Sequence, residues 1–381
     1  MAAATSDFGG ERAFILRDER AVAWVVPSIG ANCIAYTVEL NGTRHHLIST
    51  PPSVEALRAR PTFWGYPILS PYPGRHQVPF TWRGRAYQLV ENDRPGVAIH
   101  GFVAEAPWEV LHAGATSLTC RFDSESVADR AARWPWPFSL TATHRLEAGA
   151  LFLELTLENR ADEEIPHLLG LHPYFPLRTT PAGVAAGPEA GQALTTAAEL
   201  VGQDAAARET CRLQIAADEL WMMKAGLGTG EILRLEGSWD LRQPKSVAAL
   251  ERELAPPPGP GPFGDDRAMR GPRLPVLLYG KREALRARAA GLDPSQAGGV
   301  RAILHDTAGG VALSLETSAG FGSLAVYCPS GQPFLSLEPR SAVSDALTLM
   351  NDPRRLDTGV WPLGPGQRWR AWARLTLQPV R

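Results

Sequence analysis

FSLTATHRLEAGALFLELTLENR, residues 138–160, decides the fold. Apolar and polar residues alternate on both sides of Glu147-Ala148-Gly149-Ala150, and a polar turn follows the second run. Period-two alternation broken by a short glycine-containing reversal predicts two antiparallel strands, each with one face buried. Working outward, the same texture recurs. RAVAWVVPSIGANCIAYTVELNG (20–42) alternates between proline and glycine breaks, and FTWRGRAYQLV (80–90) predicts a hairpin turning at Arg83-Gly84. PWEVLHAG (107–114), SLTCRFDS (117–124) and PHLLGLHPYF (166–175) complete the first half. VRAILHD (300–306), GGVALSLETS (309–318), SLAVYCP (323–329) and FLSLEPR (334–340) are strand candidates in the second. WRAWARLTLQPV (369–380) closes the chain, entered through the turn LGPGQ. So many short strands with turn signals between them predict an all-β class, an antiparallel β-sandwich of two large facing sheets rather than a βαβ fold.

Two stretches interrupt the pattern. Residues 178–217 are rich in alanine, glycine and threonine and read as a long loop with a little helix. Residues 249–299 hold APPPGPGPFGDD and the helix-like KREALRARAAG, a Pro/Gly-rich excursion that reads as a lid or rim on one domain spanning 1–381.

Composition narrows the function classes. The chain has 381 residues, 44% hydrophobic and 20% charged, with a formal net charge of −2. It shows no basic stripe, so neither nucleic acid nor an anionic membrane is the expected partner. The N-terminal MAAATSDFGGERAF lacks the basic flank and apolar run of a signal peptide, which predicts a cytoplasmic protein. Cys33, Cys120, Cys211 and Cys328 are scattered without a CxxC pair, so reduced thiols are expected rather than a zinc site or a disulfide framework. There is no nucleophile elbow, no Walker loop, no GxGxxG after a strand and no HExxH. Acid–base chemistry without a metal or cofactor is what remains.

Four remote segments offer residues for that chemistry. His172 sits in GLHPYFPL, where Pro173 restrains it to extended backbone. An imidazole titrates near neutrality and suits a general acid, although a half-buried histidine capping a strand fits the same pattern. Glu338 ends the apolar run PFLSL and could be either a solvated rim residue or a base facing a desolvated pocket. Arg75 in SPYPGRHQVPF is a surface turn residue or a fork for sugar hydroxyls. His100 precedes Gly101, which lets backbone approach a ligand closely. Asp345 reads as a turn or cap. Of the eleven tryptophans, including Trp64, Trp82, Trp108, Trp134 and Trp136, most read as core and one or two as stacking surfaces for a sugar.

Taken together, these segments resemble the aldose 1-epimerase (galactose mutarotase) family. The resemblance runs in order through VVPSIGANCIAYTV, SPYPGR, IHGFVAEAPWEV, the stretch from Phe138 to Leu177, EGSWDLRQP, LAVYCPSGQPFLSLEPRSAVSDAL and GVWPLGPGQRWR. It implies a large antiparallel sandwich with its site in a cleft on one sheet. By position it makes Glu338 the base, His172 the acid, and Arg75 and His100 sugar-binding residues. It also implies a free aldose of the galactose or glucose class as substrate, no cofactor, and a monomer or homodimer. The family's sugar-binding aspartate has no clear counterpart. Asp265-Asp266 are followed by Arg267 rather than an aromatic residue, Asp293 in GLDPS is a second candidate, and LPVLLYGK places Tyr279 as a replacement. Asp240 in the WDLR turn reads as structural. A phosphorylated or unusual sugar, bound through Arg267, Arg270 and Arg273, is one alternative. A non-catalytic carbohydrate-binding protein is another, and a two-carboxylate glycosidase a third.

Overall fold

Ala148 (φ 50°) and Gly149 (φ 84°) turn the hairpin whose strands run Phe138–Glu147 and Ala150–Asn159. Two successive left-handed residues make the tight reversal that matches strand twist. Arg83 (φ 50°) and Gly84 (φ 78°) do the same between Phe80–Trp82 and Arg85–Tyr87. The computed structural model describes residues 3–180, 205–254, 277–281, 295, 297–329 and 332–380.

Among the described residues, three larger antiparallel sheets organise the molecule. One contains nine strands in the order Glu109–Ala113, Ser117–Asp123, Phe138–Glu147, Ala150–Asn159, Arg368–Pro379, Val311–Ser318, Gly298–Asp306, Cys211–Ala216 and Lys245–Ser246. The second runs Leu227–Arg234, Glu219–Lys224, Leu277–Gly280, Ser323–Tyr327, Phe334–Arg340, Gly170–Leu171 and Ile68–Leu69, with Tyr174–Pro176 also paired to Phe334–Arg340. The third is a five-stranded meander from Ala4–Phe8 to Thr43–His46. Alternation sends Leu151, Leu153, Leu155 and Leu157 into the same continuous core as Leu335 and Leu337 of the second sheet. Each buried leucine contributes about 1.5–3 kcal/mol, so this shared interior holds the sheets together. No described helix is long and apolar enough to cross a membrane.

The expectation of a long loop with a little helix over 178–217 needs correction at its end, while residues 181–204 lie outside the described residues. Cys211–Ala216 is a strand of the nine-stranded sheet, with Cys211, Leu213 and Ile215 buried, and a helix at Ala205–Thr210 leads into it. Its alternation is real but lies beside an alanine-rich stretch that obscures it. The hairpin of Glu219–Lys224 and Leu227–Arg234, turning at Ala225 (φ 52°) and Gly226 (φ 77°), is likewise absent from the strand candidates read above. Within 249–299, residues 249–254 end the helix Val247–Leu254 and Leu277–Gly280 is a strand, while most of the excursion, including KREALRARAAG beyond Lys281, lies outside the described residues.

Candidate active site

Strand register creates the site. In the antiparallel pairing with Phe334–Arg340, Gly170 lies opposite Arg340 and Tyr174 opposite Ser336. The residue between them, His172, is thereby carried opposite Glu338. On Phe334–Arg340, Leu335 and Leu337 join the core, and the period of two turns Ser336, Glu338 and Arg340 to the other face. His172 Nε2 comes to 3.3 Å from Glu338 Oε1, with the side chains only 6% and 2% exposed. Both line a cleft of about 590 Å³.

The second pair of elements brings Arg75 and His100 to the same cleft. Arg75–Gln77 pairs with Val97–Ile99, so Arg75 faces Ile99 and His100 follows at once. His100 has φ 62° and Gly101 φ 64°. At Gly101 a Cβ would lie 2.1 Å from the Ser70 carbonyl oxygen, so the backbone reversal there requires glycine. The Gly74 N–H donates to His100 Nδ1 at 3.1 Å, and the His100 N–H donates to the Gly74 carbonyl at 3.1 Å. An Nδ1 that accepts leaves the ring hydrogen of neutral His100 on Nε2. Burial holds His100 well below the ordinary histidine range, reinforced by His172, Arg340 and Arg75, so it stays a neutral N–H donor. Arg75 is held by a two-point contact to Asp93, Nε to Oδ2 at 3.0 Å and Nη2 to Oδ1 at 3.2 Å.

The surroundings set the proton chemistry. Burial lowers the pKa of His172, and the Glu338 carboxylate opposes that effect. Tyr174 stacks on the His172 ring with centroids 4.7 Å apart, and its hydroxyl lies 3.4 Å from Nε2. Burial first, then Glu338, raises the Tyr174 phenol far above its usual range, so it remains protonated. Phe63, Tyr174 and Tyr327 form the aromatic wall of the cleft. Arg60 lies at the rim with its guanidinium 3.7 Å above the Phe63 ring. Such a hollow, with one face aromatic and the other polar, suits a ring with one apolar face and a rim of hydroxyls.

Four of the residues singled out in the sequence therefore converge: Glu338, His172, Arg75 and His100 all line one cleft. Tyr279 does not. It is fully buried, its hydroxyl donates to the Trp239 carbonyl at 3.1 Å, and it is absent from the cleft wall. A tyrosine in the apolar run Leu277–Gly280 packs inward because its strand is central in the second sheet. Asp293 lies outside the described residues, as do Asp265, Asp266, Arg267, Arg270 and Arg273. No aspartate lines the cleft among the described residues. Trp82, Trp108, Trp134 and Trp136 are core, and the aromatic beside Trp64 that reaches the cleft is Phe63. Asp345 forms a left-handed turn (φ 58°) and binds the Gln77 N–H at 2.9 Å, tying its segment to the strand of Arg75. Sequence reading misses Ser336 and Arg340, although both stand two residues from Glu338 on the same strand face.

Residues 12–187 match the family model described as aldose 1-epimerase. Over that stretch, just under half of its length, the chain is similar to the aldose 1-epimerase family. Its fold agrees with solved structures of galactose mutarotase-like proteins. One, from Clostridium acetobutylicum, superposes with a TM-score of 0.74 at 16% identity, covering 100% of this chain and 99% of that one. An aldose epimerase homologue from C. elegans gives 0.69 at 15% identity, covering 99% and 100%. A galactose mutarotase-like protein from Lactobacillus casei gives 0.63 at 15% identity, covering 96% and 100%. At these identities the likeness is one of fold. The epimerase family match extends through His172, and Glu338 lies beyond it.

Proposed function

We propose that this protein interconverts the α and β anomers of a free hexose of the galactose or glucose class by opening and closing the ring. The observation that carries this reading is the approach of His172 Nε2 to Glu338 Oε1, 3.3 Å apart in a cleft of sugar size. Anomerisation moves two protons at two oxygens borne by one carbon. The acid and base must therefore lie within a few ångströms of each other and face the same hollow.

Glu338 takes the proton of the anomeric hydroxyl. His172, protonated at Nε2, gives its proton to the ring oxygen as the C1–O5 bond breaks. The electron pair of the O–H bond becomes the carbonyl π bond, and the pair of the C1–O5 bond stays on O5. The aldehyde turns about C1–C2, and the two groups reverse roles on closure. Each proton transfer contributes roughly 10²–10⁴-fold. His100 donates its Nε2 hydrogen and Arg75 its free N–H groups to hydroxyls, which holds the ring in line.

A phosphorylated hexose is the second reading, favoured by one observation. Arg60 places a guanidinium at the rim of the cleft, over the Phe63 ring, where it could meet a phosphate. Saturation-transfer NMR on galactose, glucose and glucose 6-phosphate separates the two. Acceleration for free galactose or glucose at least tenfold above that for the phosphate supports the first reading. The reverse order replaces it with the second, and no acceleration for any of them overturns both.

A further inference from the structure

The strand Phe334–Arg340 places Ser336, Glu338 and Arg340 on one face, and each does a separate job. The Ser336 hydroxyl lies 2.8 Å from the Pro173 carbonyl oxygen and 2.8 Å from His172 Nδ1. A serine has one hydrogen to give, and a carbonyl can only accept. The Ser336 hydrogen therefore goes to Pro173, and Nδ1 of His172 must be the donor to Ser336 Oγ. Ser336 is fully buried, so water does not compete for either contact. At the other end, Arg340 Nη2 donates to Glu338 Oε2 at 2.5 Å and Nη1 donates to Ser344 Oγ at 2.8 Å. The guanidinium occupies space that only a glycine leaves open: a Cβ at Gly74 would lie 2.5 Å from Arg340 Nη1.

We propose that Ser336 and Arg340 are positioning residues that leave His172 Nε2 and Glu338 Oε1 as the two atoms of the pair open to proton exchange with substrate. Ser336 keeps a hydrogen on Nδ1 in both charge states of His172, so the proton that comes and goes is always the one on Nε2. Arg340 occupies Oε2, so the carboxylate meets substrate through Oε1. The inference rests on the anomerase reading for its consequence in turnover, but the hydrogen-bond assignment stands apart from it. It also accounts for the spacing: the three side chains share a strand face because a strand repeats every two residues.

The test is ¹⁵N NMR of the imidazole rings in the full-length protein, with His172→Gln to assign the signal. At about pH 8 a histidine with a lowered pKa is neutral, and its two nitrogens report which one bears hydrogen. The wild type should show hydrogen on Nδ1 and a bare Nε2. Ser336→Ala should shift the population toward hydrogen on Nε2 and lower kcat roughly tenfold while KM stays within about twofold. Arg340→Lys, which keeps one donor, should lose less kcat than Arg340→Gln; if the glutamine variant unfolds, the wild-type spectrum and the lysine variant still decide. Hydrogen on Nε2 with a bare Nδ1 in the wild type would overturn the proposal. So would a Ser336→Ala protein with the wild-type tautomer and kcat. Hydrogen on Nδ1 in a wild-type protein that accelerates no anomerisation would support the hydrogen-bond assignment and defeat the proposed reaction instead.

Discussion

Glu338→Gln lowers the rate of α/β interconversion by roughly 10²–10⁴-fold, and His172→Gln does the same. Glutamine keeps an acceptor for Arg340 but has no basicity to take the anomeric proton. The loss falls on kcat, because the anomeric proton transfer matters more in the transition state than in the bound ground state. The double variant should stay within about tenfold of the weaker single, since a pair that works in one concerted event cannot be disabled twice. Glutamine is the better choice than alanine for both positions. Removing a partner outright from a buried ion pair costs about 3–5 kcal/mol, and Arg340 is only 4% exposed. Polarimetry together with a thermal melt of each variant checks the prediction: a folded Glu338→Gln protein with the wild-type rate would contradict it.

The second large effect is on stability in acid. Burial holds His76 and His167 down to about 3 and His144 to about 4. In the unfolded chain each titrates near 6.5. Between those values the unfolded chain binds protons that the folded chain refuses, so unfolding gains as pH falls. The stability is complete above about pH 6.5 and is lost progressively toward the folded values. Each such group contributes about 1.4 kcal/mol per pH unit, so three give about 4 kcal/mol per unit, a large part of the 5–15 kcal/mol of a typical domain. His100 acts in the same direction. The neutral rings fit their sites: His76 Nε2 lies 3.1 Å from the Pro73 carbonyl and His144 Nε2 3.0 Å from that of Ala31. Urea unfolding at pH 7.5 and 5.5 should show a fall of several kcal/mol. Equal stability at the two values would contradict the account.

Much of the architecture is legible in the amino-acid sequence, and the reason is local. The hairpins at Ala148-Gly149 and Arg83-Gly84 are specified by residues within a few positions of each other. Strands such as Val311–Ser318 and Arg368–Pro379 carry their own alternation. What the sequence conceals depends on distance along the chain. Nothing in GLHPYF states that it will pair with LSLEPR, yet that register alone brings His172 to Glu338. The same holds for Tyr279, whose partner is a carbonyl forty residues away in sequence at Trp239. Leu277–Gly280 alone fits a core strand as well as a cleft wall, and the neighbouring strands decide between them. Arg340 and Ser336 are a different case. Their signal is present as a spacing of two from Glu338, but it carries meaning only because that glutamate sits on a strand face rather than beyond the strand's end.

Cleavage of the C1–O5 bond is the event at the centre of the proposed reaction. Anomer exchange should be followed by NMR on an aldose labelled with ¹³C and ¹⁸O at the anomeric position, with the wild-type protein present. Ring opening at C1–O5 keeps the label on C1, so many interconversions should pass with no label loss beyond that seen in buffer. Loss of one label per interconversion, which departure of the anomeric oxygen would cause, would contradict the mechanism, and exchange no faster than in buffer would contradict the function itself.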